Sequence, residues 1–347
     1  MTFEHGARRI SRRVDVVRNG VVVSTMRIVS APTVAMRADA ELKMNLSGIF
    51  EANTEMHPER DILRPVLIIN GREYPLGEYV VSVLESQYEG NTAHVRIEAY
   101  DRSLYLKQSK IEQRYYIQAG SKYTDKAQAI LMEAGINRAI CTPSEATFAT
   151  DRDDWEIGTS RLEILNDLLA EINYESVWFD VDGNARIHPY EAPSAANIAH
   201  RYEAGKYSII KDTYTSEIDI FDTPNVFIAV VSNPDYDVPM IATAVNDTPT
   251  SIMSTVQRGR RIVRVEQLNN IASQDELQAY VDNARTESML ATEMTRFYTA
   301  INPAHGMRDV VVLNSGNASG IYQETEWQIT MEAGADMVHT ARRAMYL

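Results

Sequence analysis

The chain has 347 residues, enough for two or three domains at about 150 residues each, and its 44% hydrophobic and 24% charged residues give each domain an ordinary core, excluding disordered and collagen-like classes. Lys and Arg number 34 against 48 Asp and Glu, a formal net charge of −14 that repels phosphates and argues against specific nucleic-acid binding. Cys141 is the only cysteine, so an intrachain disulfide and a Cys-based zinc site are excluded, and no apolar run approaches the roughly 18 residues of a membrane span, so no stable membrane insertion is expected.

Met1 to Val14 carries arginines with no apolar stretch behind them, so no signal peptide is expected. Net charge is +1 over residues 1–110, −8 over 111–200 and −7 over 201–347. Arg8, Arg9, Arg12, Arg13 and Arg18 form a basic cluster, read as a solvated strand end or as a grip for an acidic partner.

The first hundred residues read as antiparallel strands. Val14 to Arg18 and Val21 to Ile28 flank Asn19-Gly20, the dipeptide that best supplies the positive φ angles of a type I′ hairpin. Ile62 to Ile69 and a strand from Arg72 flank Asn70-Gly71, and Tyr79 to Gln87 pairs with Thr92 to Tyr100. About six such strands suggest a small barrel or sandwich. From Thr124 the period becomes helical: Ala127, Ile130, Leu131 and Ala134 share a face that ends at Gly135. Ser160 and Glu163 form a capping box for a helix over about 160–172 with Leu162, Leu165, Leu168, Leu169 and Ile172 on its buried stripe. Ser176 to Phe179 and Ala185 to Pro189 make a short hairpin around Asp182-Gly183.

Strands return at Ser216 to Ile220 and Val226 to Val231 around a turn at Asp222 to Asn225, with breaks at Asn233-Pro234-Asp235 and Val238-Pro239. Ser273 and Glu276 cap one long helix whose apolar face is Leu277, Tyr280, Val281 and Ala284, with Ser288 on the same line. Strands follow at Thr295 to Ile301, Val310 to Leu313, Ile321 to Met331 and Met337 to Ala341. In the third of these Ile321, Gln323, Thr325, Trp327, Ile329 and Met331 alternate with the more polar Tyr322, Glu324, Glu326, Gln328 and Thr330, a two-sided strand.

Chemical motifs are absent. No phosphate-binding glycine loop, zincin motif or hydrolase elbow is present, and the seven histidines include no i, i+4 pair, so a metal triad would need the fold to converge them. Asp151, Asp153 and Asp154 lack EF-hand spacing and read as a solvated loop; Asp180, Asp182 and Gly183 read as a hairpin turn. His305 with Asp309 nearby invites an acid-base reading, against a loop histidine bonded to a backbone carbonyl; Cys141 reads as an idle thiol. No catalytic residue, cofactor or metal is expected.

Several phrases together resemble a known family: Trp155-Glu156-Ile157-Gly158-Thr159-Ser160, Ile164 to Leu169 with Ile172-Asn173-Tyr174, Trp178-Phe179-Asp180, Pro224-Asn225-Val226, Arg258 to Val263, Asn302-Pro303-Ala304-His305 and Gly334 to His339. In this order the chain from about residue 95 onward is similar to the tail hub proteins of bacteriophages, the baseplate hub or tail-tip family also found in contractile injection particles. The first 95 residues match in β pattern alone. The resemblance implies an α+β, mainly β fold: a tube-like antiparallel β-barrel over 1–105, an α+β module over 106–200, and a second tube-like barrel over 201–347 carrying the long helix at about 273–290.

It further implies a non-enzymatic virion protein, assembled in the host bacterial cytoplasm and resident in the tail. Three copies with two barrels each give a homotrimeric ring of six barrels, which joins a sixfold tail tube to a threefold central spike or tip and lets DNA or cargo pass. The implied partners are the tail tube or distal tail protein, the spike or tip protein and the tape measure protein. The chain ends soon after the Gly334 to His339 phrase, so no C-terminal wall-degrading or receptor-binding domain is expected. Asn225, Arg258, Arg260, Arg261, His305, Trp327 and His339 are the candidate assembly contacts, Trp327 being an apolar anchor in a barrel core or its interface. The net charge predicts an electronegative channel. A tail-associated wall hydrolase and a carbohydrate-binding receptor protein are the alternatives.

Overall fold

The computed structural model describes residues 8–52, 55–90, 92–205, 208–218, 223–231, 239–290, 293–315 and 318–345. It begins with β1 (Ile10–Arg18), β2 (Val21–Thr25), β3 (Ile28–Arg37), β4 (Met44–Glu51), β5 (Ile62–Ile69), β6 (Arg72–Pro75), β7 (Tyr79–Glu89) and β8 (Thr92–Tyr100). Asn19 and Gly20 take φ of 51° and 79°, and Asn70 and Gly71 take 52° and 84°, so both Asn-Gly pairs make the left-handed hairpin turns their chemistry favours. β1 pairs with β2 and β5, β5 with β6 and β7, and β8 bridges β7 and β4, which pairs with β3, all antiparallel. Eight strands stand where about six are expected. The run from Val21 divides at Met26, which turns its side chain into the core while its N–H bonds the Val14 carbonyl at 2.8 Å. The inward faces of these strands meet in one core that includes Val14, Leu46, Phe50, Leu67 and Tyr79. Each such side chain contributes about 1.5–3 kcal/mol by leaving water.

The middle segment holds α1 (Ser103–Gln108), α2 (Tyr123–Glu133), β9 (Ala139–Cys141), α3 (Arg161–Ala170), β10 (Trp178–Phe179) and β11 (Ala185–Ile187). The Ser160 hydroxyl accepts the Glu163 N–H at 3.1 Å, which starts α3 as its capping box requires. Gly135, at φ 79°, closes the turn after α2. The leucine stripe of α3 is fully buried and packs with Ile130, Leu131, Val177 and Ile187 in a second core.

The remaining elements are β12 (Ile198–Glu203), β13 (Ile210–Ile218), β14 (Val226–Val231), β15 (Met240–Val245), α4 (Thr255–Arg258), β16 (Val263–Leu268), α5 (Gln274–Leu290), β17 (Glu293–Ala300), β18 (Val310–Ser315), β19 (Ala318–Thr330) and β20 (Asp336–Met345). β13 and β14 are not a hairpin. β13 pairs with β17 in the large sheet, whereas β14 is the centre of a separate sheet ordered β15-β14-β16. α5 covers that sheet with Leu277 and Val281, and Phe227, Ala229 and Val231 complete a small core of its own. Ile220, Asp222, Asn233-Pro234-Asp235 and Val238 lie outside the described residues. Among the described residues antiparallel pairing dominates, with three parallel pairs: β12 with β18, β14 with β16 and β9 with β11.

β19 joins the two ends of the chain. It pairs with β18 and β20 on the C-terminal side and, from Glu326 to Thr330, with β3 of the first core. Its ladder with β20 slips between Glu324 and Glu326, a bulge at Thr325 whose carbonyl accepts the Ala38 N–H at 2.8 Å. Trp327, Ile329 and Met331 therefore enter the first core, while Ala318 and Tyr322 enter a core shared with Tyr202, Phe297 and Val311.

Candidate functional site

The fold draws three of the scattered histidines into one buried network. β12 carries His200 and Tyr202 two residues apart and hence on one face. The loop between β17 and β18 carries Asn302, His305 and Asp309; β17 supplies Thr299, β19 supplies Glu324 and β20 supplies His339. Tyr202, His305, Glu324 and His339 are all buried. Glu324 stands between two imidazoles: His305 Nδ1 meets Oε2, and His339 Nδ1 meets Oε1 at 2.5 Å. Asn302 Nδ2 donates to the Tyr202 oxygen at 3.1 Å, which directs the phenol proton to His305 Nε2 at 2.5 Å and leaves the Nδ1 proton for Glu324. His339 Nε2 meets the Thr299 hydroxyl at 2.8 Å, and its ring stacks on Phe297 at 4.5 Å.

Beside this network, His200 Nε2 bonds Asp309 Oδ2 at 3.1 Å, and the His200 ring stacks on His305 at 4.0 Å. Asp309 also accepts the Gly306 N–H at 2.8 Å. Burial by itself raises the Glu324 carboxyl, but the charges and hydrogen bonds of His305 and His339 outweigh it and hold the group down at about 2. Burial pushes the His339 imidazole below its ordinary value and the Tyr202 phenol above its own. The expected backbone-carbonyl partner of His305 is thus replaced by Glu324 and Tyr202. Asp309 lies 4.0 Å from His305 Nδ1, beyond hydrogen-bond reach. With its side chains closed to solvent, the network presents no group to an external substrate.

A second feature is a cleft of about 760 Å³ lined by residues from the first, middle and last parts of the chain, among them Asp39, Glu175, Tyr190, Glu287, Arg308 and Arg342. Asp39 after β3 accepts Arg308 at 2.8 Å and Arg342 at 3.0 Å, and Glu287 on α5 pairs with Arg342 at 2.5 Å and accepts the Tyr190 hydroxyl at 2.6 Å. Arg308 reaches this position from a left-handed backbone, φ 54°, an unusual conformation for a side chain of its size. The cleft is therefore a charged joint between parts of the chain.

Of the candidate assembly residues, Arg260 and Arg261 are exposed and open to a partner. Arg258 is half-buried, its guanidinium donating to the Thr223 carbonyl at 2.8 Å. Asn225, His305, Trp327 and His339 are buried inside the chain, and of the two places expected for Trp327 this is the core one. Asn225 bonds the Met253 and Arg260 carbonyls and the Ile262 N–H, and Trp327 Nε1 donates to the Gly306 carbonyl at 2.8 Å. The acidic run is used locally: Asp151 accepts Tyr116 and the Ala119 N–H, and Asp154 pairs with Arg152 at 2.7 Å. Asp180 accepts the Asp182 and Asn184 N–H groups, as a turn carboxylate does. Burial raises the Cys141 thiol above its ordinary value. Glu324 and Tyr202 are not singled out by the sequence, and Asn302 enters there only within the phrase that ends at His305. The available signal was a charged residue in the middle of a thirteen-residue strand.

The fold is that of phage-type tail proteins, mainly β with an α+β part. A tail protein from Neisseria meningitidis MC58 superposes with a TM-score of 0.68 over 96% of both chains at 9% identity. The 43 kDa tail protein of prophage MuSo2 from Shewanella oneidensis gives 0.67 over 96% of this chain and 98% of its own at 12% identity. The E. coli c3393 protein, a type VI secretion component with structural similarity to T4 tail proteins gp27 and gp5, gives 0.53 over 94% of this chain and 76% of its own at 11% identity. No protein-family model and no curated protein matches the sequence. Among the described residues no helix is long and apolar enough to cross a membrane.

Proposed function

We propose that this chain is a structural tail hub subunit that works as a homotrimer. Each copy places two β-barrels in a six-barrel ring between a sixfold tail tube and a threefold spike or tip, and the ring encloses a passage for DNA or other cargo. The observation that carries this reading is the likeness of fold to tail proteins over 96% of the chain. The hub phrases of the sequence and the two β cores joined through β19 support it. The proposed division is a barrel over 1–105, a module over 106–200 and a barrel over 201–347, with the sheet over 226–290 carried on the last.

Its partners in this reading are the tube or distal tail protein, the spike or tip protein and the tape measure protein. No catalysis is assigned to it: the buried network around Glu324 is closed to substrate. The excess of acidic residues supports a passage of negative potential, which keeps a polyanion from sticking. A reconstruction of the assembled tail end tests the reading: three copies with two barrels each are expected, and any other copy number overturns it. Cell-wall zymography of the purified chain should be blank; lysis would assign it to a hydrolase instead.

A further inference from the structure

We propose that His305, Glu324 and His339 form a buried binding site for a transition-metal dication of the zinc class. The three donors come from a loop and two strands and converge within 4.8 Å of one another, with every donor side chain closed to solvent. Two imidazoles and one carboxylate are the donor set that suits Zn²⁺, Co²⁺ or Fe²⁺, whereas Ca²⁺ and Mg²⁺ prefer all-oxygen cages. The far side of each ring is also arranged as a metal site requires. His305 Nε2 is held by Tyr202 and His339 Nε2 by Thr299, so both rings are oriented with Nδ1 facing the same carboxylate.

The carboxylates beside the rings point the same way: Glu324 lies between both Nδ1 atoms, and Asp309 Oδ2 lies 4.0 Å from His305 Nδ1. Binding releases one proton. The His339 proton passes from Nδ1 to Nε2, where the Thr299 hydroxyl oxygen, which gives its own proton to the Ala300 carbonyl at 3.0 Å, accepts it; the His305 Nδ1 proton leaves to solvent while the Tyr202 phenol keeps Nε2 as the acceptor of its own proton, and both Nδ1 lone pairs turn to the metal. Ligand distances of about 2.0–2.2 Å are reached when the Glu324 carboxylate draws back from the rings by roughly half an ångström. The ion would pin the 301–309 loop to β19 and β20, a structural role independent of the hub reading.

The test uses the full chain without a histidine tag, stripped with chelator and titrated with Co²⁺, whose visible absorption reports ligation directly. One Co²⁺ per chain, a visible spectrum and a raised melting temperature are expected. His339→Gln should lose all three, and His57→Gln, at an exposed histidine remote from the site, should keep them. Glu324→Gln, which keeps the shape but replaces one acceptor oxygen by an amide donor, should weaken uptake by at least tenfold. Absence of stoichiometric uptake by the wild-type chain overturns the proposal whatever the variants do, and leaves a triad held by hydrogen bonds alone. Uptake that His339→Gln retains while still folded also overturns it.

Discussion

Replacing Trp327 with Ala removes a side chain that the structure places inside the first core, 4% exposed, opposite Met36 on β3 and His339 on β20. The loss of indole volume from a packed interior costs about 3–5 kcal/mol. Trp327→Phe keeps most of the volume but removes the Nε1–H that bonds the Gly306 carbonyl at 2.8 Å; an unsatisfied buried acceptor costs about 1–3 kcal/mol. At about 2–4 °C per kcal/mol for a cooperative unit of 150–250 residues, the Ala variant should melt roughly 10 °C lower and the Phe variant a few degrees lower. Scanning calorimetry of the isolated chain at low concentration reads both. If the Ala variant melts with the wild type and fails only in ring assembly, Trp327 is an interface anchor and the reasoning from burial is refuted.

In the middle segment Arg152 and Glu171 form a buried pair at 2.8 Å, with the guanidinium over the Trp155 ring. Arg152→Met strands the Glu171 charge and should cost about 3–5 kcal/mol, most of it regained when Glu171→Leu is added; urea unfolding of the wild type and the two variants measures this. Asp61 is held down at about 2, chiefly by its hydrogen bonds to Arg18 at 2.7 and 2.8 Å. Because the folded value lies below the unfolded one of 3.8, its stabilisation is present above about pH 4 and is lost as pH falls toward 2. Melting temperature against pH should therefore fall less steeply in that window for Asp61→Asn than for wild type, and identical slopes would contradict the assignment. Arg260→Glu with Arg261→Glu changes two exposed side chains, so stability should move by less than about 0.5 kcal/mol. Under the hub reading ring formation should weaken, which negative-stain counting of assembled tail ends would check.

Local rules made the first hundred residues legible. Asn-Gly supplies positive φ wherever it occurs between β-branched runs, and Ser160 with Glu163 caps a helix by contacts three residues apart. What the sequence concealed depends on partners far along the chain. Val226 to Val231 reads as half of a hairpin with Ser216 to Ile220 because nothing near it reveals that β14 pairs with β15 and, in parallel, with β16 more than thirty residues on. Glu324 looked like one more residue of a polar face. Along β19 that face is solvent-exposed at Glu326 and Gln328 and buried at Tyr322 and Glu324, because the Thr325 bulge marks where one core gives way to the next. Alternation records which side a residue faces, and only the tertiary fold decides what lies on that side.

β19 also sets how the chain carries load. At about 3.3 Å per residue its thirteen residues make a beam some 40 Å long, laced to β3 at one end and to β18 and β20 along its length. A pull along this beam strains many ladder hydrogen bonds in shear together, whereas peeling would break them one at a time. Twisting one core against the other must first shear the β3 ladder, so the pair turns as a single rigid lever. Under the hub reading, bending within a ring would therefore concentrate at the contacts between copies, where no such ladder ties the parts together.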